Sequence, residues 1–421
     1  MLSQKDFAVS PVPPEEKRSL LRVTAVLVAF IVNVATIVVA MRIGNATTPT
    51  TAFAGLAIGG FVLSVIGGVT AVIGAHTSLS TGMITTLTFG TKGRNMAAAV
   101  LAISLFGWFG VQTEVFASSL GSMLVTLFTL DVPRIVLVVF GGILMSTTAV
   151  IGFRALEKLS IVAVPFLVFL LAWPFFLVDV QGILSQSLPP STMDIATVIS
   201  ITVGGFIAGA VILPDITRYA LSKTHALVAA TVGFMLMLVL MMGAGAFLGI
   251  YAGNDNLVGV LLSLGLGLPA LVIVLLATWT TNDSNLYTSS LSLAAIFQNI
   301  PKWKLAACAG ALGTLLAALG ITSFIVPWII LLGLFIAPIG GVLIGDYLTR
   351  HRMYEFGHIS TLEAARYWPL GCWLAGAAFG WMTTGPTNYG LGLFNFTTVP
   401  PLDGLLFSFV LILAVNSLKK N

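Results

Sequence analysis

Ala277-Thr278-Trp279-Thr280-Thr281-Asn282-Asp283-Ser284-Asn285-Leu286-Tyr287-Thr288-Ser289-Ser290 is the densest polar run inside any long apolar stretch of this 421-residue chain. The run lies within Leu257–Ile296, flanked by leucine, valine, isoleucine and alanine. Hydroxyls and amides placed inside hydrocarbon must meet partners, because an unpaired polar group there costs several kcal/mol. Such a run therefore marks a helix that faces a wet cavity or a polar network.

The surroundings set the fold class. The chain is 57% hydrophobic and 8% charged, where soluble proteins carry roughly a quarter charged residues. Its apolar residues fall in runs near the ~20 residues that span a bilayer as helix. The expectation is an all-α polytopic membrane protein with about twelve transmembrane helices. The runs are Leu20–Met41, Thr51–Ala75, Met96–Leu127, Val136–Ile151, Ile161–Val180, Ile195–Leu213, Ala226–Tyr251, Leu257–Ile296, Leu305–Leu319, Phe324–Leu348, Trp368–Met382 and Leu405–Val415. A polar N-terminal tail, residues 1–19, precedes one transmembrane domain, residues 20–416, and residues 417–421 close the chain. No cleavable signal peptide is expected, since the tail is polar through Arg18 and the first run is of full spanning length.

Charge supports the count. With that alternation, seventeen of the nineteen Lys and Arg residues fall on one side, leaving Arg42 and Arg134 opposite. The positive-inside rule then places both termini in the cytoplasm. The basic residues sit at span ends and form no patch suited to nucleic acid. Cys308 and Cys372 lie in apolar segments without metal-ligand spacing and read as packing residues.

Three segments carry candidate chemistry. In the third run, Trp108 and Gln112 are four apart and share a helical face, an indole for stacking and an amide for a ring edge. A packing tryptophan beside an interhelical hydrogen bond is the alternative. Gly107 and Gly110 permit close approach, and Glu114 is a candidate for coupling or for a helix–helix contact. In the sixth run, Gly204, Gly205 and Gly209 weaken the helix, and the expectation is an interruption there with Phe206 inside the break. Asp215 and Arg218, three apart near its end, read as a gate or an interface ion pair rather than as substrate ligands. In the eighth run, Ala277, Thr280 and Thr281 share a face and offer a carbonyl and two hydroxyls to a small hard cation. A buried polar network without an ion has the same composition. Asn282 or Asp283 can reach a nearby heterocycle. No phosphate loop, metal cluster or nucleophile–base pair stands out, which argues against an enzyme.

These segments, with Ala337-Pro338-Ile339-Gly340-Gly341-Val342-Leu343-Ile344-Gly345-Asp346-Tyr347 and Thr88-Phe89-Gly90-Thr91-Lys92-Gly93, closely resemble the cytosine/purine permeases of the first nucleobase–cation symporter family. The likeness begins at Pro11-Val12-Pro13 and covers most of the chain. It implies a five-plus-five inverted repeat, residues about 20–180 and 194–348, followed by two extra helices at about 368–416. It implies a secondary transporter of the inner membrane that imports a planar nucleobase, cytosine first, then a purine, hydantoin-like or hydroxymethylpyrimidine ring. Sodium is the favoured coupling ion, with protons the alternative, and no organic cofactor or obligatory protein partner is implied. By resemblance Trp108 and Phe206 sandwich the base, while Gly205, Ala208, Asn33, Asn282, Asp283 and Gln112 line its edge. Sodium would lie between Ala277, Thr280, Thr281 and the first-helix carbonyls of Ala29 and Val32. The chain departs from cytosine permeases at Leu105, where they carry Gln, and at Gly205 and Ala208, where they carry serines.

Overall fold

The structure, a computed structural model, describes residues 6–173, 176, 192–361, 364–386 and 389–419. Its helices, in chain order, are α1 Leu20–Ile31, α2 Val34–Ala46, α3 Pro49–Thr77, α4 Thr81–Phe128, α5 Arg134–Ile151 and α6 Phe153–Ala172. They continue as α7 Ile195–Val211, the one-turn α8 Pro214–Thr217, α9 Lys223–Ala252, α10 Leu257–Ser263 and α11 Gly267–Ile296. The last four are α12 Lys302–Ala318, α13 Ile325–Arg350, α14 Tyr367–Thr383 and α15 Pro400–Leu418. Within the described residues, the twelve expected runs fall largely on helix. Among the described residues, seven helices are long and apolar enough to cross a membrane, eight if the bent pair α1–α2 forms one span. The end of the fifth run, to Val180, lies outside the described residues.

The first run is not one straight helix. It bends by 60° between α1 and α2, where Val32 and Asn33 adopt extended backbone. Asn33 stabilises the break: its Oδ1 accepts from the Thr36 N–H at 2.8 Å and its amide donates to the Ile31 carbonyl at 3.0 Å. This is a helix N-cap set in mid-span.

The sixth run also departs from expectation. α7 continues through Gly204, Gly205 and Gly209, and the break falls after Val211, at Ile212 and Leu213. Pro214 accounts for the position, since it lacks the N–H that another helical turn needs. The eighth run is likewise two pieces, because Gly265 at φ 76° ends α10 in a left-handed turn. Thr88–Gly93, between the second and third runs, holds a kink at Gly90, φ 82°, preceded by helix from Thr81. The backbone groups freed there find partners: Lys92 N–H donates to the Ala364 carbonyl at 2.6 Å, and Arg366 N–H to the Phe89 carbonyl at 3.0 Å.

Close helix crossings fix the bundle. α2 lies against α9, where a methyl on Gly245 would come within 2.7 Å of the Ile37 carbonyl, and one on Gly44 would strike the Ala246 backbone. Gly110 brings α4 within a methyl's reach of the Gly313 carbonyl in α12, 2.8 Å from its would-be Cβ. Small residues let backbones approach in this way when lipid supplies no hydrophobic drive. α4 packs along α11, and α13, α14 and α15 form a compact group.

The N-terminal segment is a strap, not a free tail. Asp6 receives Lys302 Nζ at 2.8 Å and the Phe153 N–H at 3.0 Å. Val12 N–H donates to the Ser78 carbonyl at 2.9 Å, and Arg18 forms a parallel bridge with Ala220. Lys17 Nζ donates to Ser78 Oγ at 2.7 Å and to the Arg218 carbonyl at 2.6 Å. Burial, then the nearby Arg218 charge, pushes the Lys17 ammonium down to about 8. The strap thus ties α1, α3, α6, α8 and α12 at one end of the bundle.

Candidate functional site

A vestibule of about 590 Å³ enters the bundle from the end that bears Asp194, Thr197 and Thr384. Trp108 of α4 and Gly205 and Phe206 of α7 line its inner part, with Thr36 of α2. The same four residues line a second cavity, about 40 Å³, that lies deeper. The two spaces therefore meet at the Trp108–Phe206 level. The deeper cavity is completed by Phe30, Asn33, Leu105, Gln112, Thr281 and Asn285, among others.

Helical phase explains this gathering. Trp108 and Gln112 follow at i and i+4 on α4, and Thr281 and Asn285 do so on α11. Gln112 is 2% exposed, and its Oε1 has no partner among the described residues. An unpaired buried acceptor costs about 1–3 kcal/mol unless something completes it. A methyl on Gly205 would meet nothing within 4 Å. This glycine thus leaves room beside the aromatic pair, whereas Gly107 is needed for helix packing, since a methyl there would run into the Trp328 ring.

Directly below the aromatic level, α11 meets the α1 break. Thr281 Oγ1 lies 3.1 Å from the Val32 carbonyl oxygen, 3.2 Å from that of Phe30 and 3.4 Å from that of Ala29. One hydroxyl proton satisfies only one of these acceptors. The other two carbonyl oxygens therefore receive no proton from it. On the same face Thr280 Oγ1 donates within its own helix to the Leu276 carbonyl at 2.9 Å and lies 3.4 Å from the Ala277 carbonyl. Among the described residues no group donates to the Thr280 hydroxyl. Carbonyl and hydroxyl oxygens in this number suit a hard monovalent cation.

Other expected residues stand elsewhere. Asn282 does not line the cavity: its amide donates to the Phe109 carbonyl at 3.0 Å and to Thr113 Oγ1 at 3.1 Å, on the α4 side of α11. Asn285, three positions later, takes the cavity face. Asp283 is also absent from the lining, is 1% exposed, and has no hydrogen-bond partner on either oxygen among the described residues. Ala208 and Asn33 line the deeper cavity. Glu114 pairs with Arg134 at 2.8 Å and accepts the Thr322 N–H at 2.9 Å, away from the cavities.

Asp215 and Arg218 do not form the expected side-chain ion pair. Asp215 Oδ1 accepts the Thr81 N–H at 2.7 Å, capping the start of α4. The Arg218 guanidinium, fully buried, donates to the carbonyls of Phe7 at 2.7 Å and Asp6 at 2.8 Å and to the Tyr287 hydroxyl at 2.8 Å. It closes the end opposite the vestibule by holding the strap. Phe153 stacks on Tyr219 at 3.7 Å beside it.

Known proteins resemble this chain in sequence and in fold. A sequence profile described as permease for cytosine/purines, uracil, thiamine and allantoin matches residues 11–384. The cytosine permease of Escherichia coli K12 is 31% identical over 366 residues, 86% of this chain and 85% of that one. The chain belongs to this permease family. It is a multi-pass membrane transporter, not an enzyme. A hydantoin permease of Microbacterium maritypicum is 27% identical over 69% of this chain and 65% of its own length. Among solved structures, Mhp1, a nucleobase-cation-symport-1 family transporter in a closed conformation with bromovinylhydantoin bound, superposes with a TM-score of 0.81 at 20% identity, covering 98% of this permease and 95% of Mhp1. A Na+-coupled sialic acid symporter in a substrate-bound outward-open state gives 0.71 at 14% identity, covering 99% and 92%. These two likenesses concern the fold.

Proposed function

We propose that this permease imports a planar nucleobase-like heterocycle, cytosine first, by symport with sodium. The observation that carries this reading is the vertical order of the site. A vestibule leads to an aromatic pair, an unpaired amide oxygen lies beside it, and a cluster of carbonyl and hydroxyl oxygens lies directly underneath. Trp108 and Phe206 supply faces for a flat ring, and Gln112 and Asn285 supply edge contacts. The ion occupies the oxygens of Ala29, Val32, Thr281, Thr280 and Ala277.

Coupling follows from the α1 break. A cation there fixes Val32 and Asn33, and Asn33 lines the ring cavity. The ring then binds a site already ordered, so each ligand favours the same state. The E. coli cytosine permease supports the substrate class, and the shared fold of the Na+-coupled sialic acid symporter supports the ion. The wider architecture follows the sequence reading: twelve spans in a five-plus-five inverted repeat plus two helices, termini cytoplasmic, in the inner (plasma) membrane. In that orientation the vestibule faces outward and the strap closes the cytoplasmic end.

A hydantoin-like ring is the second reading, favoured by the open space at Gly205 and by the hydantoin permease relative. Proton coupling is the second reading for the ion, favoured by the fully buried Asp283 carboxylate.

The test is uptake of radiolabelled cytosine into proteoliposomes with and without an inward sodium gradient. Accumulation that requires sodium is expected. Equilibration without accumulation indicates a passive channel, and binding without flux a sensor; either overturns the proposal. Uptake driven by a pH gradient alone moves the coupling to protons.

A further inference from the structure

At the strap end of the bundle a cavity of about 630 Å³ opens between the termini of α13, α14 and α15. It plays no part in the substrate route, which runs between α2, α4, α7 and α11. Its lining holds Arg350, Arg352, Arg366 and Lys419, together with His351 and Trp368. Among the described residues one carboxylate is paired with this group, that of Asp346, which is fully buried. Arg366 consumes most of it, donating to Asp346 Oδ1 at 2.9 Å and Oδ2 at 3.0 Å. Arg350 reaches the same carboxylate only at 3.4 Å. Arg352 is exposed, and Lys419 Nζ rests 3.3 Å above the Trp368 ring. Arg350, Arg352 and Lys419 thus keep N–H donors facing an open cavity. The Trp368 indole N–H is buried and has no partner among the described residues.

The depth of the cavity identifies its occupant. α13 and α15 belong to the helices long and apolar enough to cross a membrane, and those spans end at Met353 and Leu418. The lining residues 349–353 and 416–419 are those ends, so the cavity sits at headgroup level. Its approaches are apolar: Leu348 is 54% exposed, Tyr367 77% and Leu418 75%. A soluble anion has no use for such a surround, whereas an acyl chain does. Aromatic residues beside basic ones are the usual composition of a lipid interface.

We propose that this cavity binds the phosphate headgroup of an anionic phospholipid, with Arg350, Arg352 and Lys419 as its cationic ligands and the acyl chains lying along α13 and α15. The lipid would staple the two C-terminal helices to α13, whose Asp346 also receives Asn416 of α15 at 2.9 Å. The lipid site is independent of the substrate and of the coupling ion.

The full chain is placed in nanodiscs of phosphatidylcholine with increasing phosphatidylglycerol, and its melting temperature and retained lipid are measured. Phosphatidylglycerol should raise the melting temperature and be retained through detergent extraction. Each cation removed should weaken retention by roughly fivefold, so R350Q/R352Q/K419Q should lose the whole increment. Lys304→Gln, an exposed basic residue on a different helix, should leave it unchanged. Equal retention by the triple variant overturns the proposal, as does an equal loss with Lys304→Gln. Inorganic phosphate that protects as well as phosphatidylglycerol in phosphatidylcholine discs would make this a soluble-anion site and overturn the lipid assignment.

Discussion

The Thr281 hydroxyl stands 3.1 Å from the Val32 carbonyl, across the junction where the first span breaks and α11 passes beneath the aromatic pair. The same oxygen also faces the carbonyls of Ala29 and Phe30, so one side chain touches three acceptors of that break. Thr281→Val keeps the shape and removes the oxygen. It should raise the half-saturating sodium concentration about tenfold, the equivalent of ~1.4 kcal/mol. Thr280→Val, whose hydroxyl is committed within its own helix, should shift it less. Sodium-dependent uptake curves for the two variants read this directly, and an unchanged curve for Thr281→Val removes the ion site.

Trp108→Ala should weaken heterocycle binding by ~1–3 kcal/mol, the range for loss of a base–aromatic stack. Membrane insertion and melting temperature should change little, since Trp108 is partly exposed to the vestibule. Isothermal titration calorimetry checks it; normal affinity would refute the sandwich.

The two asparagines of α11 separate fold from binding. Asn282→Ala strips partners from the Phe109 carbonyl and Thr113 in a fully buried place, and should destabilise by ~1–3 kcal/mol. Asn285→Ala should lower uptake with a smaller loss of stability. Gly205→Ser fits the open space and supplies the hydroxyl that the family resemblance leads one to expect there. It should alter the preference between cytosine and hydantoin-like rings, measured by competition.

Glu114→Gln should leave coupling intact, because its carboxylate serves Arg134 and Thr322 outside the cavities. A loss of ion dependence in that variant would contradict its place in the structure. Asp283→Asn is the informative partner: unchanged sodium dependence excludes the proton-coupled reading.

Arg218→Gln should free the strap. Ser80 Oγ donates to the Ala8 carbonyl at 3.2 Å and is fully buried beneath it. A Ser80→Cys reporter, with Cys308 and Cys372 replaced by serine, should react with maleimide about tenfold faster (~1.4 kcal/mol of lost docking) once Arg218 is changed. Lys17 gives the same docking a pH dependence. Its docked value near 8 lies below the ordinary 10.5, so a released strap holds the proton more tightly. Docking should therefore strengthen as pH rises from about 8 to 10.5 and flatten in Lys17→Met.

The helices were legible in the sequence because a span announces itself by length and apolarity. Gly110, Trp108 and Gln112 were legible from spacing alone. The break at Asn33 was not, since Ile31-Val32-Asn33-Val34 contains neither glycine nor proline and only the folded N-cap reveals it. The glycines of α7 misled in the opposite direction: they line the vestibule and the deeper cavity, while Pro214 sets the break. Asn282 and Asn285 differ by helical phase, and counting four from Thr281 reaches Asn285. Nothing local in residues 6–19 signals the strap, because its partners lie on five other helices.

That distance has a consequence for biogenesis. Lys302 follows Asp6 by 296 residues, so at the ~5–20 residues per second of translation the ribosome needs roughly 15–60 s to deliver the partner. A segment that leaves the tunnel well before its partner is thus among the last to settle, and the nascent protein must wait with that end unlatched until its second half has been inserted.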